Sequence, residues 1–491
     1  MKPNRLLFLV LLAIMAGGCA VGPNYQRPAL NPPARWSEPL AGGETNAPAS
    51  LTGWWRNFND PELDSLINRA VASNLDLRIA RARVQEARAQ YGIAAASLWP
   101  SADVSGSYAR TGASHHQPVL GSLPIPPGVP FDNDVYQAGF DASWEVDVFG
   151  GKRRAAEAAG DEVTAVEFGR RATLITLLGD VARNYIDVRG DQRQLAITRE
   201  NIQAQAQALA ITHDRFTNGL TSDLDVQQAA TLLATTKAEV PSLETALQAS
   251  IHRLGVLLGQ PPGQLLAELS KTAPIPAAPP RVPVGLPSEL LLRRPDVQQA
   301  ERQLAAATAN IGVARADLFP KFYLTGLGGF ESISASDWFT AGSRFWSVGP
   351  TVKWRIFDAG RIRANIKVQN ARQEQALAAY EKTALTAFED VENSLVAYAN
   401  EQLRRQSLEN AAASSRQSLD LANKLYASGL TDFVNVLEAE RSLYQAQSAL
   451  VQSDRTVSTD VVALYKSLGG GWETVGKPTS LSLAQTTSSS N

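Results

Sequence analysis

The stretch DLRIARARVQEARAQYGIAAASLWP (residues 76–100) returns as DVQQAERQLAAATANIGVARADLFP (residues 296–320). At a fixed offset of 220 the two share Asp76/Asp296, Ala80/Ala300, Ala87/Ala307, Ala89/Ala309, Gly92/Gly312, Ala94/Ala314, Ala96/Ala316, Leu98/Leu318 and Pro100/Pro320. Downstream the offset drops to 210, and Gly139/Gly349, Trp144/Trp354, Gly219/Gly429, Leu220/Leu430, Thr221/Thr431, Leu233/Leu443 and Gly259/Gly469 match. Identities held at one spacing over such lengths mark two tandem copies of one long unit, not a string of independent domains. The copies occupy residues 60–259 and 295–469, joined by a proline-rich segment at 260–294. A tail at 470–491, rich in Ser and Thr at its end, is expected to be unstructured.

The N-terminus carries an address. Lys2 and Arg5 precede an apolar run at residues 6–15, then small residues and Cys19, the anatomy of an export signal over residues 1–18. Ten apolar residues are too few to span a bilayer as a helix. Cys19 is the only cysteine, so no disulfide within the chain is possible. Its setting, Ala16-Gly17-Gly18-Cys19, resembles a bacterial lipobox, which implies a covalent lipid on Cys19 and an N-terminal arm at 19–59. Ala16 departs from the Leu usual in such motifs, and an ordinary signal peptide cut nearby is the alternative. Ala20 follows the cysteine instead of Asp, which favours the outer membrane.

Composition removes other classes. The net charge of −2 is scattered, so there is no basic footprint for nucleic acid. No segment after residue 20 is apolar for about 18 residues, so a membrane crossing has to use strands.

Those strands are legible. From Tyr136 the chain alternates, with Tyr136, Ala138, Phe140, Ala142, Trp144, Val146 and Val148 on one face and Gln137, Gly139, Asp141, Ser143, Glu145 and Asp147 on the other. Period two over that length suits a tilted membrane strand with aromatic ends. The second copy repeats it, with Trp346, Val348, Pro350, Val352, Trp354 and Ile356 outward and Ser347, Gly349, Thr351, Lys353 and Arg355 inward. Weaker partner strands at 101–112 and 322–331 complete two hairpins, at about 101–148 and about 322–357. A soluble antiparallel sheet would show the same alternation.

Long helices follow each hairpin. Residues 361–428 contain neither Gly nor Pro, and as one helix they would run on the order of 100 Å. Residues 152–218 form the counterpart, softened by Gly160, Gly169, Gly179 and Gly190. Each ends at a Gly-Leu-Thr turn, where Gly caps the helix and Thr opens a returning one. Pro241 should bend the first returning helix. Shorter helices precede the hairpins, at 60–98 with a break near Asn74, and at 295–318. Such hairpins are also what a coiled coil is made of. Four membrane strands, however, cannot close a barrel and leave edges unpaired in lipid, so the chain has to oligomerise.

The segments Gly18-Cys19-Ala20-Val21-Gly22-Pro23-Asn24-Tyr25-Gln26-Arg27-Pro28, Trp54-Trp55-Arg56-Asn57-Phe58-Asn59-Asp60-Pro61-Glu62-Leu63 and Leu292-Arg293-Arg294-Pro295-Asp296-Val297 carry a resemblance over nearly the whole chain. It resembles the outer-membrane factor family, the TolC-like exit ducts, in its NodT-type lipoprotein branch. The resemblance implies an α+β membrane protein that forms, as a homotrimer, a 12-stranded transmembrane β-barrel continued by a long periplasmic α-helical barrel. It implies an exit duct of a tripartite efflux system, fed by an inner-membrane pump through a periplasmic adaptor, with no catalysis and no cofactor. The exit duct of a type I protein secretion system shares the architecture and is the alternative; a periplasmic adaptor would show one helical hairpin flanked by soluble β-domains.

By the same resemblance, adaptors dock on the helix-turn tips, Gly219, Leu220 and Thr221 in one copy and Gly429, Leu430 and Thr431 in the other. Asn435 and Glu438 occupy positions where relatives carry gate aspartates, Val434 resembles an apolar gate ring, and Arg441 is spaced to pair with Glu438. Thr431 stands where some relatives have a gate-locking Arg, which puts a lock through Asp225 in doubt. Other residues attract less weight. His115 and His116 are adjacent on a loop and do not converge as ligands, and His213 and His252 are isolated. No nucleophile, base and orienting residue can be nominated together.

Overall fold

The structure, a computed structural model, describes residues 20–38, 44–45, 51–112, 114, 132–279 and 282–475. The signal segment 1–18, Cys19, His115, His116 and the end of the tail lie outside the described residues.

Two compact units emerge, and each draws on both copies of the repeat. Of the described residues, those within 1–28, 85–165 and 300–379 make the first, and those within 29–84, 166–299 and 380–491 the second.

The first unit holds one four-stranded antiparallel sheet, built from β1 (Ser101–Gly112), β2 (Asp132–Val146), β3 (Lys321–Ser332) and β4 (Arg344–Lys353) in that spatial order. The register keeps the alternation in phase across the sheet. Val104 faces Phe140, Phe140 faces Gly328 and Gly328 faces Trp346, while on the opposite face Ser101, Ser143, Thr325 and Gly349 line up. One face is therefore apolar, and on it Val104, Tyr108, Phe140, Trp346, Val348 and Val352 are each more than half exposed. Soluble proteins rarely leave so continuous an apolar face uncovered. Aromatic pairs cluster at one end, Tyr108 with Tyr136 at 5.0 Å and Tyr136 with Trp338 at 5.5 Å.

Two strand ends differ from the expected ones, and for a physical reason in each case. β2 stops at Val146 and not Val148, because the Asp147 carboxylate accepts from the Arg153 N–H at 2.8 Å and opens the following helix, with Gly150 at φ 78° in the turn. β4 stops at Lys353 and not Ile356, because its neighbour β3 begins at Lys321, which faces Lys353. The β2–β3 pairing at Gly139 and Gly329, in the interior of both strands, is the tightest point of the sheet: a Cβ on Gly139 would lie 2.8 Å from the Gly328 carbonyl oxygen, and one on Gly329 would lie 2.6 Å from Gly139 Cα.

Helices fill the rest. α1 (Pro61–Ser73) and α2 (Leu75–Ala96) are separated at Asn74, whose side-chain oxygen accepts from the Leu77 N–H at 2.9 Å as the cap of the second. α3 (Gly151–Thr217) and α6 (Arg361–Ala427) are unbroken over 67 residues each. They return as α4 (Asp223–Leu257) and α7 (Phe433–Ser467), and α5 (Pro295–Ala316) precedes the second hairpin. α4 runs through Pro241 as one helix. Ser222 caps it, reciprocally with Asp225, where Thr221 was expected to open the helix. Among the described residues no helix is long and apolar enough to cross a membrane.

The motifs that carried the resemblance are packing elements. In the second unit Trp54 is buried and stacks on Tyr465 at 5.1 Å, Asn57 donates to the Tyr465 hydroxyl at 3.0 Å, and the Tyr185 hydroxyl donates to Asp60 at 2.8 Å. Arg294 is bound to Asp296 at 2.6 Å and Asp390 at 2.8 Å, and donates to the Ser467 carbonyl at 3.2 Å. A largely shielded guanidinium with three such partners ties the start of α5 to α6 and α7. In the first unit the arm is pinned: the Val21 N–H donates to the Phe149 carbonyl at 3.0 Å, Arg154 donates to Asn24 at 2.6 Å, and Arg27 pairs with Glu301 at 3.1 Å. The beginning of the expected tail is ordered. Residues 472–475 form a 3₁₀ turn on which Arg171 stacks, 4.6 Å from the Trp472 ring.

Candidate functional site

Two regions have the geometry of a duct component: the two-faced sheet and the helix-turn tips. On the sheet, the polar face carries Asp141, Glu145 and Lys353 as the alternation requires. Asp147 and Arg355 lie just past the strand ends, and Asp147 is committed to Arg153. Glu145 pairs with Lys152 at 3.5 Å. Among the described residues, β1 and β4 each pair on one side only, so both outer edges of the sheet present free backbone groups.

The two tips are built alike. Gly219 (φ 74°) and Gly429 (φ 71°) take the left-handed conformation that ends each long helix. The Leu220 N–H then reaches back to the Arg215 carbonyl at 2.8 Å, and the Leu430 N–H to the Leu425 carbonyl at 2.9 Å. This double closure satisfies the helix ends and turns both leucines outward, Leu220 66% and Leu430 75% exposed. Behind the turns Ala229, Tyr426, Phe433, Val436 and Leu437 form a small core, with Arg215 over the Tyr426 ring at 4.5 Å.

A difference between the copies sits at this turn. In the first, the Thr221 hydroxyl donates to the Asp225 carboxylate. Burial works to raise that carboxyl, but hydrogen bonds from Thr221 and Ser222 outweigh it and hold Asp225 below the usual range. In the second, Asn435 takes the place of Asp225 and donates to the Thr431 hydroxyl at 2.8 Å. A charged acceptor, Asp225, is thus replaced at the equivalent position by a neutral donor, Asn435.

Of the expected gate residues, Val434, Glu438 and Arg441 share one exposed face of α7, at i, i+4 and i+7. Glu438 and Arg441 pair at 3.5 Å, both well exposed. Asn435 is occupied with Thr431.

Sequence reasoning missed Glu440. It lies on the opposite, buried face of α7 with Val436, Leu437 and Leu443, and is 6% exposed. The hydrogen bonds Gln194 to Ser448 (2.9 Å) and Thr198 to Tyr444 (3.0 Å) set α3 antiparallel to α7, and Gln205, also buried, is further along α3 toward the tip. Burial alone pushes the Glu440 carboxyl up to about 7. The folded chain therefore holds an extra proton between pH 4.5, the ordinary value, and about 7. Stability from this site is full below pH 4.5 and falls as pH rises through 7, by roughly 3 kcal/mol. Glu440→Gln is expected to raise the thermal midpoint of the helical circular-dichroism signal at pH 8 and to leave it unchanged at pH 4.5. A variant no more stable than the parent at pH 8 would mean that Glu440 is solvated.

Comparison with known proteins agrees with this geometry. Residues 66–260 and 286–470 match the profile of the outer membrane efflux protein family. The chain is 34% identical over 479 residues to the solvent efflux pump outer membrane protein SrpC of Pseudomonas putida, covering 96% of this chain and 99% of that one. It is 34% identical over 473 residues to the probable outer membrane lipoprotein SilC of Salmonella typhimurium, covering 95% and 99%. The solved structure of the outer-membrane channel OprN superposes with a TM-score of 0.85 at 34% identity, covering 93% of this chain and 100% of that one. The chain therefore belongs to the outer membrane efflux protein family and serves as the outer-membrane channel of an efflux system.

Proposed function

We propose that three copies of the chain close a 12-stranded barrel in the outer membrane, continued by a periplasmic helical barrel, and that the duct passively conducts small molecules delivered by an inner-membrane pump through a periplasmic adaptor. The observation that carries this is the open four-stranded sheet with an apolar face and two unpaired edges. In lipid every strand edge has to be paired, so the sheet needs further copies. The polar strand faces then line water. The duct does no chemistry, and the energy comes from the pump. A relative named for solvent efflux supports small, membrane-active cargo.

The repeat boundaries at 60–259 and 295–469, joined by 260–294, describe the covalent organisation of this duct. Cys19 carries its lipid. Ala20, the next residue, packs against Gly150 at the foot of β2, where an acyl chain would meet the inner leaflet of the outer membrane. The adaptor docks at Gly219, Leu220 and Thr221 and at Gly429, Leu430 and Thr431. Val434 forms the apolar constriction, and Asn435, Glu438 and Arg441 its polar rim, where three Glu438 carboxylates repel one another unless Arg441 offsets them.

One preparation tests these points. Native mass spectrometry of the detergent-solubilised protein is expected to give a three-chain mass with each chain cut before Cys19 and acylated; a monomeric particle would sink the trimer. In planar bilayers Val434→Ala with Arg441→Ala is expected to raise single-channel conductance, and Glu438→Ala to weaken block by divalent cations. Unchanged currents in all of them would remove the gate assignment and leave the duct standing.

A further inference from the structure

The internal duplication contains a template for the junction between subunits. β1 shifted by 220 residues is β3, Ser101–Gly112 becoming Lys321–Ser332. The hairpin register is preserved under the two offsets, since Ser101 faces Ser143 and Lys321 faces Lys353. The equivalence continues past the end of β4: the Trp144 indole donates to the Leu98 carbonyl at 2.9 Å, and the Trp354 indole to the Leu318 carbonyl at 3.1 Å.

Between the hairpins, β2 of the first copy pairs with β3 of the second. In an assembled ring the corresponding junction is β4 of one chain with β1 of the next, and the same offsets give its register. Ser143 facing Thr325 maps to Lys353 facing the partner subunit's Ser105. Trp144 facing Leu324 maps to Trp354 facing the partner subunit's Val104, and Glu145 facing Tyr323 maps to Arg355 facing the partner subunit's Asp103.

We infer that neighbouring copies join in this register, with residues 354–356 added to β4 and an ion pair between Arg355 and the partner subunit's Asp103. The inference rests on the trimer proposed above. Three observations on the single chain support it independently. β2 extends three residues beyond its pairing with β1, which ends at Ser143, because β3 covers Trp144, Glu145 and Val146 from the other side. The equivalent Trp354, Arg355 and Ile356 have no strand beside them in one chain, and Trp354 and Ile356 are 58% and 82% exposed. Faces also match: Val352, Trp354 and Ile356 meet Gly106, Val104 and Ala102 of the partner subunit on the apolar side.

Charge completes the fit. Asp103 lies directly opposite Asp141 in the β1–β2 pair, an unfavourable like-charge neighbour, and neither has an ion pair among the described residues. Arg355 likewise has none. Bringing Arg355 to the free side of Asp103 relieves both.

Disulfide trapping in outer membranes with the full chain reads the register. Ser105→Cys with Lys353→Cys is expected to convert most of the protein to covalent dimers and trimers on non-reducing gels, collapsing on reduction. Ser101→Cys or Ala109→Cys with Lys353→Cys, displaced four residues or about 13 Å along the strand, is expected to give none. Trapping by a displaced pair, or by no pair in a particle whose native mass is trimeric, overturns the register alone. A monomeric native mass takes down the trimer with it. Arg355→Asp is expected to lower several-fold the fraction of trimer surviving heating in SDS, and Asp103→Arg in the same chain to restore it. Failure of the swap to restore overturns the ion pair.

Discussion

Leu430→Asp, and separately Leu220→Asp, should abolish efflux in cells while the protein still reaches the outer membrane at normal level and assembles. Both leucines stand on glycine turns with their side chains largely in water, so a charge there disturbs no core. Exposed substitutions of this kind usually change stability by no more than about 0.5 kcal/mol. If an adaptor buries these leucines, a carboxylate in their place loses the apolar contact and has to be desolvated as well, which is enough to remove binding. Substrate accumulation in cells, read beside the abundance of the assembled protein, checks this. Normal export by both variants would show that the adaptor docks elsewhere.

Gly329→Val is expected to have a comparable effect by the opposite route, through loss of the sheet. A Cβ on Gly329 would collide with the Ala138 carbonyl and with Gly139 Cα, both backbone atoms that no rotamer change can move. The β2–β3 ladder would have to open at its middle, and in lipid an opened ladder leaves backbone groups without partners. Assembled protein in the outer membrane should fall at least tenfold. Gly326→Ala serves as the control, since a Cβ there meets nothing closer than 3.9 Å. Equal assembly of Gly329→Val and the parent would mean that the strands are further apart than described.

How much of this could be read without coordinates depends on how local each cause is. Period-two alternation from Tyr136 and the glycine-free run from Arg361 act through neighbours along the chain, and both emerged as one strand and one helix. The break at Asn74 and the glycine turns were legible for the same reason, because a cap or a left-handed residue acts within one turn. The duplication went further, since two offsets carry over residue for residue into the hairpin registers.

Strand ends were not local. β4 stops at Lys353 because β3 starts at Lys321, so the alternation running on to Ile356 had nothing to pair with in one chain. Recognition segments such as Trp54-Trp55 and Arg294-Pro295-Asp296 were visible as motifs, but only the fold brings Tyr465 under Trp54 and Asp390 beside Arg294.

Glu440 marks the limit most sharply. In the run Glu438-Ala439-Glu440-Arg441 two acids beside an arginine read as an exposed face, and Glu438 is indeed exposed and paired. Two residues on, the helix has turned by about 200° and carries Glu440 into the buried face with Val436 and Leu443. Sequence determined the duplication, the alternation, the caps and the turn chemistry, which follow from backbone geometry within a few residues. Tertiary structure decided which charges lose water and where a strand finds its partner, because desolvation and pairing depend on groups brought together from distant parts of the chain.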